Sequence, residues 1–582
     1  MMRRRPFLPF FGILVLPVAL MAAPSFAADG AVQSLDPSLE AKVDALFSMW
    51  NSLDTPGAAV AVIKDGMVVY RKGFGCAQLE YGIPITPSTV FHVASVSKQF
   101  TAMAITMLEA QGKLSAEDDI RKYLPELADF GKTITIRHLL NHTSGLRDQW
   151  DLMVLSGWRM DDVITQAQIM DRLKRQKELN FPPGEQYLYC NSGYTLLAEI
   201  VGRVSGRPFT EWTRENIFRP LGMTSTHFHL DHQEIVKNRA YSYDEGDPAK
   251  KEFKNSVLNY ANVGATSLFT TVEDMAGWLR NFEEKKVGGA AVLEKMLTKG
   301  VLNRGTEISY ARGIDVGAYR GLKTIGHSGG DAGFRSHVMY FLEEKFGVVV
   351  FSNFASLNPG ALARRIADIY LAPRFKQPVP ASPPAAKAPV AAPDLKAVIL
   401  PVKTLETFTG TYWIEATQLG RKIVLDKDKL IYVRSDTDTT ELIPVSPTEF
   451  QMKDSSVRAR IKFSDKSTDR YQTFTVEVEN QPPAVGKRIE SFSLMEEALK
   501  EYTGSYYSDE LDTRYDLTVK SGALRVQIPR NEAVPASFQK KDEYTVEGSA
   551  TIRFVRNGEG RITGFTISTG RVRNLKFVKS KS

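Results

Sequence analysis

Ser95-Val96-Ser97-Lys98-Gln99-Phe100-Thr101-Ala102-Met103-Ala104-Ile105-Thr106-Met107-Leu108 is the stretch from which the rest of the chain can be read. Phe100, Met103, Ala104, Met107 and Leu108 fall at i, i+3, i+4, i+7 and i+8, so they form one apolar stripe on a helix. Gly112 stops it. Ser95 and Lys98 are three apart at its start, so the amine can stand beside the hydroxyl. A serine hydroxyl is a weak nucleophile until a neighbour takes its proton. A lysine does that when burial and nearby positive charge lower its pKa. The positive end of a helix also favours an alkoxide. Taken alone, the same four residues also read as a capping serine with a solvated lysine.

Two further stretches offer partners. Tyr189-Cys190-Asn191 lies between Pro182-Pro183-Gly184-Glu185 and Ser192-Gly193-Tyr194. A tyrosine can move a proton to or from a nearby serine, and an asparagine amide can hold a substrate carbonyl or amide. The other reading is a core tyrosine beside a helix-capping asparagine. Gly326-His327-Ser328-Gly329-Gly330 precedes two apolar runs. Small residues there let backbone approach a ligand, and the Gly330 N–H pairs with that of Ser95 as a candidate oxyanion hole. His327, Ser328 and Gly329 join Asn191 as candidate substrate contacts. A glycine-rich loop before a strand is the plainer alternative.

The order and spacing of these three stretches, with Ile134 to Leu146 between the first two, resemble the serine beta-lactamase and penicillin-binding-protein superfamily over about residues 40 to 370. The class C-like branch, which holds D-aminopeptidases, D,D-carboxypeptidases and esterases, is the most similar. The resemblance implies a sheet flanked by helices, a helical subdomain, and a site between them. It implies that Ser95 forms the acyl-enzyme, that Lys98 and Tyr189 manage its proton, and that Asn191 orients substrate. The expected substrates are D-amino-acid peptides, amides or esters. The alternatives are a D,D-carboxypeptidase, beta-lactamase or short-chain esterase and, outside enzymes, a protein binding cell-wall fragments or an apolar ligand. One departure stands out. Many relatives carry Lys-Thr-Gly where this chain has His327-Ser328-Gly329, and a histidine is mostly neutral at pH 7. His-x-Gly there is similar to D-aminopeptidases, which also carry two barrel domains after the catalytic one, with a loop from one directed towards the active site.

Elsewhere the chain divides by composition. Ala58 to Gly75 reads as a hairpin turning at Asp65-Gly66, and His337 to Asn353 as two strands joined by a charged turn. Ala361 to Leu371 reads as a closing helix. Strands at both ends of one domain suggest a single α+β sheet layer covered by helices. Residues 377–396 are rich in Pro, Ala and Val and form a semi-stiff linker. Beyond it Leu405-Glu406-Thr407-Phe408-Thr409-Gly410-Thr411-Tyr412-Trp413 recurs as Leu499-Lys500-Glu501-Tyr502-Thr503-Gly504-Ser505-Tyr506-Tyr507. Ala459 to Phe463 likewise recurs at Ala550 to Phe554. These repeats predict two lipocalin-like β-barrels, over 397–490 and 491–582. The hydrolase domain is expected over 28–376.

The first 27 residues carry Arg3, Arg4 and Arg5, an apolar run too short to span a bilayer comfortably, and Ser25-Phe26-Ala27. They are expected to be a cleaved leader that sends the protein to the periplasm or outside. Without those arginines the 74 basic residues become 71 against 67 acidic ones, a net charge of +4. So mild a charge gives no reason to expect a nucleic-acid partner. No later run is long and uncharged enough to be an integral membrane segment. Cys76 and Cys190 could pair, but a chain of 582 residues does not need a disulfide. His227-Phe228-His229-Leu230-Asp231-His232 is dense in possible ligands, yet acyl-enzyme chemistry needs no metal and no cofactor is expected.

Overall fold

The computed structural model describes residues 37–580 apart from 248–249, 251, 377–397, 418, 435–437, 454–458, 468, 479–481, 490–495 and 547–549. The expected leader and linker lie outside the described residues.

Six strands build the main sheet: β1 (Ala58–Lys64), β2 (Met67–Phe74), β3 (Asp315–Tyr319), β4 (Leu322–Asp331), β5 (Phe334–Phe341) and β6 (Phe346–Ser352). They are antiparallel in the order β3-β4-β5-β6-β1-β2, so the two ends of the domain meet where β6 pairs with β1. The turn between β1 and β2 holds Asp65 and Gly66 at φ 48° and 75°, the left-handed pair that a two-residue hairpin needs. Ala59, Ala61 and Ile63 of β1 enter one core, and Ala58, Val60 and Val62 enter another. A strand covered on both faces reads as a continuous apolar run, which is why simple alternation is lost here.

Helix α1 (Pro37–Leu46) covers the second face. Helices α2 (Lys98–Ala110), α3 (Asn191–Ser205) and α4 (Val272–Glu284) lie on the first, and α5 (Pro359–Leu371) returns to the second. Helix α2 packs on α3, and α4 lies against β1 and β6. The active-site residues collect between the sheet and this helical layer.

Two closed, eight-stranded antiparallel barrels follow. The sequence repeat maps onto matching parts of each. Tyr412 donates to the Phe408 carbonyl at 2.9 Å, and Tyr506 to the Tyr502 carbonyl at 2.8 Å. Aromatic side chains fill the barrels: Phe408 lies 4.7 Å from Phe463 between ring centres, and Phe565 4.7 Å from Phe577. Among the described residues, buried aromatic rings thus occupy the space that a ligand-carrying barrel of this size leaves open. The first barrel has its own core, whereas the second shares one with the catalytic domain.

Candidate active site

Ser95 sits in a tight 3-10 turn, Ala94–Ser97, directly before α2, rather than inside the helix itself. Ala94 takes φ 47°, a costly value for a residue with a Cβ. Its neighbours hold the turn: the Ser97 hydroxyl donates to the Ala94 carbonyl at 2.5 Å and accepts from the Leu268 N–H at 3.1 Å. Ser95 is thereby the one residue of 91–100 that is not fully buried.

Lys98 is completely buried. Its ammonium donates to Ser95 Oγ at 3.0 Å, to Asn191 Oδ1 at 2.9 Å and to the Ala265 carbonyl at 2.7 Å. Burial brings its pKa down to about 7, although Asp331 and Asp148 pull the other way. Asn191 opens α3, and its amide also donates to Asp148 Oδ2 at 2.9 Å. Most of its hydrogen-bonding capacity therefore holds Lys98 and Asp148 in place.

The Tyr189 hydroxyl is buried beside Ser95 and, among the described residues, makes no hydrogen bond of good geometry. Burial raises its pKa well above the usual value, with Ser95 and Arg571 pulling the other way, so it stays a neutral phenol. Its ring packs 4.1 Å from His142, whose Nδ1 accepts the Cys190 N–H at 3.1 Å. His142 belongs to the segment Ile134 to Leu146 and takes φ 57°. That segment thus forms the floor that fixes the height of Tyr189.

Strand β4 closes the other side. A Cβ on Gly329 would stand 2.4 Å from the Val93 carbonyl and 3.0 Å from the Ser95 nitrogen, so only glycine fits. Gly330 follows on the same strand. His327 does not present a free ring nitrogen. Its Nδ1 contacts the Ser328 carbonyl at 2.6 Å and its Nε2 the Tyr310 hydroxyl at 2.9 Å. Burial holds its pKa down at about 3, so it is neutral. Ser328, its neighbour on a strand, points to the opposite face and bonds His337 Nδ1 at 2.8 Å, towards α5. His327 and Ser328, both expected as substrate contacts, thus already have side-chain partners within the protein. Strand alternation sends one into an internal hydrogen bond and the other away.

Four residues that sequence reasoning did not single out complete the site: His142, Asp148, Tyr310 and Arg571. Arg571 comes from the second barrel, in the loop between strands Ile562–Ser568 and Leu575–Lys579. Its guanidinium lies 5.1 Å from the centre of the Tyr189 ring and 3.9 Å from Asp148. Nothing in local sequence marks it.

Cys76 and Cys190 are both buried free thiols. His227, His229 and Glu234 do approach one another, with their candidate ligand atoms within 4.8 Å. The two rings pack on Phe269, whose face also carries Arg239, so a cation there would sit near an existing one. No hydrogen bond joins them to Ser95, Lys98 or Tyr189 among the described residues. No helix among those residues is long and apolar enough to cross a membrane.

Comparison with known proteins gives the family. A D-aminopeptidase from Brucella anthropi is 31% identical over 300 residues, covering 51% of this chain and 56% of its own length. Another, from Gluconobacter oxydans, is 30% identical over 335 residues, covering 57% of this chain and 62% of its own. The chain thus spans less than two thirds of these relatives. Among solved structures, the octameric penicillin-binding protein homologue from Pyrococcus abyssi superposes with TM-score 0.53 and 25% identity, over 78% of this chain and 99% of that one. The D-amino acid amidase from Ochrobactrum anthropi SV3 shares the fold, at TM-score 0.50 and 21% identity, over 58% of this chain and 99% of its own. The beta-lactamase family profile matches residues 40–372, more than half of the sequence, and the chain belongs to the beta-lactamase family of serine hydrolases.

Proposed function

We propose that this protein hydrolyses D-amino-acid peptides, amides or esters through an acyl-enzyme on Ser95. The observation that carries the reading is the contact between the Ser95 hydroxyl and a buried lysine whose pKa is about 7. About half of such a lysine is neutral at pH 7, so it can take a proton without first losing one. Ser95 Oγ attacks the substrate carbonyl carbon as its proton moves to Lys98 Nζ. The N–H groups of Ser95 and Gly330 stabilise the tetrahedral oxyanion. Tyr189, a neutral phenol, delivers a proton to the leaving nitrogen or oxygen and is reprotonated from Lys98. The carbonyl reforms, the leaving group departs, and water repeats the sequence in reverse to free Ser95. Asn191 keeps Lys98 in line and offers its remaining N–H to the acyl group.

The substrate class rests on the D-aminopeptidase relatives and on the neutral His327. A lysine at position 327 would favour a carboxylate there, and this chain has a neutral histidine instead. The filled barrels argue against the reading as an apolar-ligand carrier. Export, with cleavage after Ala27, is part of the proposal, and mass spectrometry of the mature N-terminus tests it. The activity is tested with D-amino acid p-nitroanilides, short-chain esters, D-Ala-D-Ala peptides and a chromogenic cephalosporin. The expected order puts substrates with a free D-aminoacyl group first, and a clear preference for the cephalosporin or for N-acylated D-Ala-D-Ala peptides overturns it.

A further inference from the structure

The second barrel does more than pack on the catalytic domain. It brings a guanidinium to the face of Tyr189, 5.1 Å from the ring centre. The loop that carries Arg571 is held at several points. The Arg571 N–H donates to Asp151 Oδ2 at 3.1 Å, and its carbonyl accepts from Asn180 at 2.9 Å and from the Asp148 N–H at 3.3 Å. Beside it the Arg573 carbonyl accepts from Arg147 at 2.9 Å. Arg147 also makes an ion pair with Glu510 of the same barrel, and the two are 1% and 8% exposed. A pair so buried costs desolvation and fixes geometry rather than adding much stability. The loop is therefore set in position before substrate arrives.

The Arg571 side chain itself is not consumed by this docking. Among the described residues its guanidinium has no hydrogen bond, only the 3.9 Å approach to Asp148 and the face of Tyr189. It remains 41% exposed. A guanidinium presents five donors in a planar fork that fits a carboxylate with two parallel hydrogen bonds. Tyr189 gives its proton to the leaving group, so whatever stands over Tyr189 stands beside that group. The strand position where a lysine could recognise an anion holds a neutral, internally bonded His327 instead.

We propose that Arg571 binds a carboxylate on the leaving group, so that the enzyme is tuned to short peptides with a free C-terminus over the corresponding capped amides. This rests on the acyl-enzyme reading above. The cation for that carboxylate comes from the second barrel rather than from β4, which makes the catalytic domain incomplete without the barrel.

The test compares D-alanyl-glycine with D-alanyl-glycinamide, which share the acyl group and the scissile bond and differ only in the distal charge. Wild-type kcat/KM should favour the free acid by about tenfold or more, the size of one charge-assisted hydrogen bond. Arg571→Gln should bring the ratio close to one, and Arg571→Lys should keep part of it, with unchanged melting temperature as the check on folding. A wild type indifferent to the charge, or an Arg571→Gln enzyme that loses both substrates equally, overturns the proposal. If wild type cleaves neither peptide, the D-aminoacyl reading has failed, and carboxylate binding is still measured without turnover. N-acetylglycine should then slow labelling of Ser95 by a fluorophosphonate in wild type and not in Arg571→Gln, while N-acetylglycinamide protects neither. Equal protection by both compounds, or by neither, overturns the assignment of Arg571.

Discussion

Asp148 Oδ2 accepts two hydrogen bonds from Asn191, one from its backbone N–H at 2.6 Å and one from its side-chain amide at 2.9 Å. The second bond decides which way the amide faces. With the nitrogen turned to Asp148, the oxygen must face Lys98, where it accepts the ammonium at 2.9 Å. Asp148 is fully buried and makes no hydrogen bond to Ser95 among the described residues, yet it sets the acceptor that orients Lys98.

Asp148→Asn should therefore be costly although it is nearly isosteric. The new amide can offer its own N–H to Asn191 and turn that side chain over, placing a donor against Lys98. The expected loss is about 10- to 100-fold in kcat, which corresponds to roughly 1.5–3 kcal/mol for a charged hydrogen bond. Asp148 also raises the Lys98 pKa, so its removal should move the ascending limb of the pH–rate curve to lower pH. A pure packing defect would lower the rate without moving the limb, so the pH profile separates the two.

The wild-type pH dependence has a defined sign. Acylation needs neutral Lys98, so kcat/KM should rise with pH through a midpoint near 7 and then level off. Tyr189 acts as a neutral phenol and its pKa is raised well above 10, so it should not cause a fall before that pH. His327, held at about 3, should contribute no step between pH 5 and 8. A midpoint near the 10.5 of an ordinary lysine contradicts the assignment of Lys98 as base.

Tyr189→Phe separates the two proton transfers. An amide nitrogen must be protonated to leave, whereas a p-nitrophenolate need not be. Hydrolysis of a D-amino acid amide should fall by about 10²- to 10⁴-fold, the usual contribution of a general acid, and that of the matching p-nitrophenyl ester by much less. Stopped-flow acylation rates for both substrates check it. Equal losses would assign the phenol to activation of Ser95 instead.

Particular residues show what could be read from the sequence and what could not. The β1–β2 hairpin was legible because Asp65-Gly66 is a two-residue turn with left-handed conformations at both positions. The barrels were legible because the repeat keeps Tyr412 and Tyr506 in register with the same carbonyl partner. Ser95 and Lys98 were legible as an i, i+3 pair, since a 3-10 turn running into a helix keeps such residues adjacent. The placement of His327 and Ser328 on opposite faces was not legible, because it depends on the run Gly326 to Gly330 lying within β4, where alternation parts them. Asp148 and Arg571 left no trace, because their roles arise from contacts between distant parts of the chain. Arg571 lies 420 positions from Asp151, the residue that anchors its backbone.

The central claim is that Ser95, made nucleophilic by Lys98, carries the acyl group. The direct measurement is covalent labelling by a fluorophosphonate followed by peptide mapping. In the wild type the adduct should fall on the peptide containing Ser95, and labelling should be lost in Ser95→Ala and strongly slowed in Lys98→Met, with turnover lost in parallel. An adduct on any other residue, or undiminished labelling of Ser95→Ala, contradicts the account.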